Sequence, residues 1–134
     1  MKPSGMKPSP VRPRILVVDD EDAIRRSLTM MLEFEGFDCE TAASGPEAVQ
    51  AIERTEIDLV VLDVKMAGLD GLETLRILRE RAKDVPVIML SGHGTVKTAV
   101  EATRLGAFDF LEKPPETEKL LVAARNALEK RRLV

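Results

Sequence analysis

Tryptophan and tyrosine are absent from the 134 residues, phenylalanine occurs four times, and there is one cysteine and one histidine. A lone Cys39 cannot form an internal disulfide, and with His93 as its only soft companion it cannot complete a structural zinc site. Disulfide and zinc scaffolds are therefore excluded. No uninterrupted apolar run approaches ~18 residues, so no membrane-spanning helix is expected. The basic start is followed by proline and serine rather than an apolar core, which argues against a secretory leader and for a cytoplasmic protein. No Gly-x4-Gly-Lys-Ser/Thr run exists, which excludes a P-loop nucleotidase.

Charge is unevenly placed. Lys2, Lys7, Arg12 and Arg14 face no acid in the first 14 residues, which leaves 16 bases against 23 acids over residues 15–134, a net of −7. An acidic body with so few aromatics lacks both the clustered cations that contact phosphates and the platforms that stack bases. Direct nucleic-acid binding is not expected. Residues 1–13 hold four prolines and the tetrapeptide MKPS twice, a composition that predicts a disordered lead-in to one domain over 14–133.

From Arg14 onward, short apolar runs alternate with segments of helical spacing. Ile15–Val18, Leu59–Leu62 and Val87–Leu90 read as strands buried on both faces. Phe37–Ala42 and Phe108–Leu111 are half polar and read as outer strands. Between them lie the stripes Ile24/Leu28/Met31/Leu32, Ala48/Ile52, Leu72/Leu75/Leu78, Val96/Ala99/Val100/Thr103 and Leu120/Leu121/Ala124/Leu128. Ser44-Gly-Pro-Glu47 has the form of a capping box ahead of the second helix, and Pro115 suits the first turn of the last. Five strands alternating with five helices predict an α/β fold, a doubly wound flavodoxin-like (βα)5 sandwich with a parallel sheet in the order 2-1-3-4-5.

In such sheets sites form beyond the carboxyl ends of the strands. There the first strand delivers Asp19-Asp20-Glu21-Asp22, the third Asp63, the fourth Ser91-Gly92-His93-Gly94, and the fifth Glu112-Lys113-Pro114. In the predicted order strands 1 and 3 are neighbours, so Asp19, Asp20 and Asp63 converge. Three carboxylates in one crevice repel unless a cation joins them, and Mg²⁺ suits an all-oxygen set. Acids, a hydroxyl and a lysine together are what phosphoryl transfer needs, and an aspartate can itself be the nucleophile. Taken singly, each group has an ordinary explanation as a turn, cap or solvated strand end. All four lie at carboxyl ends, which favours a site.

These residues stand in the motifs ILVVDDE (15–21), LVVLDVKMAGLDG (59–71), VIMLSGHG (87–94) and GAFDFLEKP (106–114). Together, in this order, they resemble the receiver domains of bacterial two-component response regulators, from about Arg14 to Leu133. The resemblance implies that Asp63 accepts a phosphoryl group from a sensor histidine kinase. It implies that Asp19, Asp20, Asp63 and the backbone carbonyl of Lys65 hold Mg²⁺, with Mn²⁺ as an alternative. Ser91 would bond the phosphoryl group, Lys113 would pair with it, and Phe110 would be the aromatic switch. It also implies a cis Lys113–Pro114 peptide. The chain departs from the family in reading Met66-Ala67-Gly68 where Met-Pro-Gly is common, in Phe110 for the commoner tyrosine, and in the added Pro115. Lys65 and His93, each two residues past a site group, are read respectively as a shield of the phosphorylated carboxylate and as an exposed loop residue.

The implied output runs through the helix 4–strand 5–helix 5 face, with Val96, Val100, Arg104, Asp109, Leu121 and Arg125 as candidates. Leu121 is equally well read as core. A phosphorylation-stimulated homodimer on this face is expected. The stretch 91–114 resembles receivers of the nitrogen-regulation type that precede sigma-54-dependent transcriptional activators, and ALEKRRLV resembles the start of their helical linker. The alternatives are a stand-alone single-domain regulator and a phosphorylation-independent pseudo-receiver. A haloacid-dehalogenase-type phosphatase would need an aspartate where Lys65 stands. A dinucleotide site is disfavoured because Gly92-His-Gly94 lacks the third glycine and follows the wrong strand. The domain is expected to catalyse only its own phosphorylation and dephosphorylation, and so not to act as an enzyme on other substrates.

Overall fold

The computed structural model describes residues 12–66, 70–92 and 95–132. The expectations for the leader up to residue 11, for Ala67-Gly68 and for His93 therefore lie outside the described residues. Five strands run β1 Arg14–Val18, β2 Asp38–Ala42, β3 Leu59–Asp63, β4 Val87–Ser91 and β5 Asp109–Glu112. They alternate with α1 Asp22–Phe34, α2 Gly45–Arg54, α3 Gly71–Arg81, α4 Val96–Arg104 and α5 Thr117–Arg132. All pairings are parallel and the order is β2-β1-β3-β4-β5, as the alternation predicts.

The unbroken apolar runs of the three inner strands follow from the sheet's two covered faces. Successive side chains on a strand point to opposite sides. Ile15, Val17, Leu59, Val61, Ile88 and Leu90 accordingly pack with Leu28 and Leu32 of α1 and Leu120 and Ala124 of α5. Leu16, Val18, Val60, Leu62, Val87 and Met89 pack with Ala48 and Ala51 of α2, Leu75 and Leu78 of α3, and Ala102 of α4. Leu121 is core, as its alternative reading had it.

Helix ends carry the signals read in the chain. Ser44 Oγ accepts from Glu47 N, while the Glu47 carboxylate reaches past the serine to accept from Ala43 N at 3.0 Å. We expect Ser44→Ala to lower stability by about 1 kcal/mol, the usual cost of an N-cap. Urea denaturation checks this. Gly36, with φ at 99°, turns the chain out of α1, and Phe37 N donates back to Leu32 O in the same turn.

Two helical expectations need correcting. The stripe Val96/Ala99/Val100/Thr103 does not face the sheet. Val96 and Val100 are 82% and 50% exposed, and Ala102 is the one fully buried residue of α4. The expectation followed the bulky valines, whereas the small Ala102 packs against the sheet. Pro115 is not in the first turn of α5, which begins at Thr117. Leu120 N bonds to Glu116 O, so Glu116 stands at the cap and the proline precedes it.

Candidate functional site

Register fixes the site before any side chain is considered. Val18 of β1 is level with Leu62 of β3, so the next residues, Asp19 and Asp63, end adjacent strands at the same height. Both continue the parity of the side chains facing α1 and α5, and so they share one side of the sheet. Ser91 closes β4 and pairs with Glu112. Lys113 follows β5, its amide bonded to Ser91 O at 2.9 Å. The peptide from Lys113 to Pro114 is cis.

The Lys113 ammonium lies 2.7 Å from Asp19 Oδ2 and 3.1 Å from Asp63 Oδ2, bridging the two carboxylates. Asp19 and Asp63 are buried, at 1% and 3% exposure. Burial pushes the Asp63 carboxyl above its ordinary value. The contact with Lys113 opposes this, Asp19 adds to it, and the Lys65 amide, 3.4 Å from Asp63 Oδ1, opposes it again. Burial works against the charge on Lys113, yet the two carboxylates outweigh it and hold the ammonium above the usual lysine range. The folded apo-protein thus binds the Asp63 proton more tightly than the unfolded chain does. That group's contribution to stability falls as pH rises from its unfolded pKa through the folded one.

Asp20, Asp63, Lys65, Ser91 and Lys113 line one open cavity of about 870 Å³, together with Glu21 and Thr98. Oxygens of Asp19, Asp20 and Glu21 approach within 4.8 Å of one another. Asp19 Oδ2 is buried and ion-paired, but among the described residues it meets no donor in hydrogen-bonding geometry. One ammonium among the clustered carboxylates of Asp19, Asp20, Glu21 and Asp63 leaves an excess of negative charge, and this oxygen-rich set fits a hard divalent cation. The expected acids, the hydroxyl and the lysine are therefore brought together. Phe110 is set back from the cavity, half-buried against the core on the α2–α3–α4 side.

Sequence reading gave no site role to three residues. Glu21 and Thr98 reach the cavity from the starts of α1 and α4, where each reads as ordinary capping chemistry. The Arg25 guanidinium donates to the Asp19 carbonyl at 2.7 Å. Nothing in its spacing sets it apart from Arg26. Among the output candidates, Arg125 is turned toward α1, where it pairs with Glu35 at 3.4 Å. Among the described residues no helix is long and apolar enough to cross a membrane.

Comparison with known proteins places this geometry. The family model for the response regulator receiver domain matches residues 15–125. The nitrogen assimilation regulatory protein NtrX of Azorhizobium caulinodans is 43% identical over 121 residues, covering 89% of this chain and 27% of that protein. The C4-dicarboxylate transport transcriptional regulatory protein DctD of Pseudomonas aeruginosa is 40% identical over 131 residues, 98% of this chain and 28% of its own. The chain thus spans about a quarter of the length of these relatives. The crystal structure of the receiver domain of NtrX from Brucella abortus superposes with a TM-score of 0.81 at 44% identity, over 86% of this chain and 98% of that one.

Proposed function

The chain belongs to the family of response regulator receiver domains, and from that membership we propose that it is a phospho-accepting switch, charged at Asp63 by a sensor histidine kinase. The observation that carries the proposal is the buried Asp19–Lys113–Asp63 bridge opening onto a cavity shared with Ser91. An oxygen of the ionised Asp63 attacks the phosphorus of the kinase's phosphohistidine. The P–N bond breaks and its electron pair returns to the imidazole. Lys113 releases the carboxylate as charge moves outward and pairs with a phosphoryl oxygen, while the Ser91 hydroxyl donates to another. Asp19, Asp20, Asp63 and the Lys65 carbonyl are the groups that would hold Mg²⁺, or Mn²⁺ in its place. When bound, the ion supplies charge neutralisation at the phosphoryl oxygens. The Lys65 side chain, exposed at the cavity mouth, shields the acyl phosphate from water.

The message leaves through the α4–β5–α5 face. With Ser91 drawn toward the phosphoryl group, Phe110 turns further inward and the surface around Val96 and Val100 is remodelled. That surface controls an output domain or partner protein and supports a phosphorylation-stimulated homodimer. The named regulators NtrX and DctD make a transcriptional activator of the sigma-54-dependent kind the favoured output. DNA would then be contacted elsewhere than in this domain. The domain acts in the cytoplasm and catalyses only its own phosphorylation and dephosphorylation.

Intact-protein mass after incubation with acetyl phosphate and Mg²⁺ tests the proposal. One adduct of about 80 Da, a single phosphoryl group on a single nucleophile, is expected for the wild type. It should be lost in Asp63→Asn and without metal. No adduct in any condition, together with no response to fluoroberyllate, would make this a binding module independent of phosphorylation.

A further inference from the structure

We infer that Arg25 is the positioning residue of the acidic pair, setting divalent-cation affinity by holding the β1–α1 connection in shape. The inference rests on the reading of the Asp19–Asp20 pocket as a cation site. Only residues 19–21 join β1 to α1, and they carry all three acids whose oxygens cluster there. The usual fastening of such a connection is missing, because Glu21 stands at the N-cap of α1 and its side chain makes no cap hydrogen bond.

Arg25 supplies the fastening from the far side of the first turn. One guanidinium nitrogen donates to the Asp19 carbonyl at 2.7 Å and another pairs with Asp22 at 3.0 Å, with the Arg25 side chain only 18% exposed. The remaining groups of Asp19 are also engaged. Its amide donates to Ala42 O at 3.1 Å, and its Oδ1 accepts from Glu21 N at 2.9 Å. The Asp19 carbonyl and the Asp20 amide belong to one rigid peptide plane. Fixing that carbonyl therefore fixes the N–Cα bond about which Asp20 turns, and the start of α1 at Asp22 narrows the turn that remains. Asp19 is held by the sheet, and Asp20 is aimed by Arg25.

The sign of the effect separates positioning from simple charge. A guanidinium acting only through its field repels a nearby cation, so its removal would tighten binding. A guanidinium that aims the ligands loosens binding when it is lost. Arg25→Lys keeps the charge but lacks the planar guanidinium that is held at the Asp19 carbonyl.

The test is a Mg²⁺ titration of the full chain, followed by the amide shifts of residues 19–22 and run beside Asp22→Asn. Arg25→Met and Arg25→Lys are each expected to raise the Mg²⁺ Kd roughly five- to tenfold, the scale of one net hydrogen bond. Phosphoryl uptake at saturating Mg²⁺ should stay within about twofold of wild type, because the bound ion restores the loop. Asp22→Asn leaves the carbonyl contact in place and should shift the Kd by less than about twofold. An unchanged or tighter Kd in a folded Arg25 variant overturns the inference. If Arg25→Met does not fold, Arg25→Lys decides, and failure of both to fold assigns Arg25 a structural role and overturns the inference too. A wild type that binds no Mg²⁺ overturns the cation reading itself.

Discussion

Lys113→Met is expected to tighten Mg²⁺ binding roughly tenfold and, in the same protein, to abolish the change that phosphorylation produces. The ammonium sits against the two carboxylates that a cation would use, at 2.7 Å and 3.1 Å, so it competes with the ion for them. A divalent ion ~5 Å from the ammonium in an effective dielectric of ~20 is opposed by about 7 kcal/mol, and most of that is relieved when the ammonium moves aside for the ion. The apo-variant should be less stable by roughly 3 kcal/mol at neutral pH, because Asp19 and Asp63 remain buried with no counter-ion. With Lys113 gone the Asp63 carboxyl loses a group that lowers its pKa, so the deficit shrinks as acid protonates it. Thermal melts with and without Mg²⁺ should show a lower midpoint for the apo-variant and a larger rise on adding the ion. Fluoroberyllate should then fail to shift the amides of α4 and β5. A variant with wild-type Mg²⁺ affinity would mean that the lysine and the ion do not share ligands.

Gly71→Ala should be the most damaging single methyl in the fold. A Cβ there would stand 2.6 Å from Val64 Cα and 2.7 Å from Val64 O, and closer still to the Asp63 carbonyl oxygen. All three are backbone atoms, so no side chain can swing away. The Gly71 amide also donates to Val64 O at 2.8 Å, pinning the start of α3 against the residue that follows Asp63. Overpacking against backbone should cost about 3 kcal/mol in urea denaturation. Since relief must come from moving the end of β3, phosphoryl uptake from acetyl phosphate should slow by roughly tenfold or more. Gly36→Ala is the control. Its positive φ strains an alanine, but nothing lies within 4 Å of the added carbon, so it should lower stability by about 1 kcal/mol and leave uptake intact.

Much of this was legible before any coordinates. The three apolar runs had to be inner strands because every residue in them is apolar, and a strand with no polar side has no face to show to water. Parallel order then placed Asp19 and Asp63 together, since each immediately follows such a run. Three things were not legible, for physical reasons. Hydrophobic periodicity weighs size, so Val96 and Val100 outvoted Ala102, although contact with the sheet favoured the smaller residue. Capping statistics favour Pro115 inside α5, whereas the first helical bond, Leu120 N to Glu116 O, leaves it outside. The spacing shows the Arg25–Asp22 pair but not the contact with the site, because that partner is a main-chain carbonyl and side-chain spacing carries no record of main-chain acceptors.

A helix fastened by one buried alanine is also a helix that can be shifted at small cost. Each methylene taken from water contributes only about 0.8 kcal/mol, and α4 commits little more than Ala102 to the core, whereas α3 commits Leu75 and Leu78 along with Gly71 and Thr74. Under the proposed switch, two arrangements of α4 would then lie within a few kcal/mol of each other, close enough for one or two new hydrogen bonds at Asp63 to invert their populations. The light anchorage of α4 would be what lets so small a chemical input tip the balance.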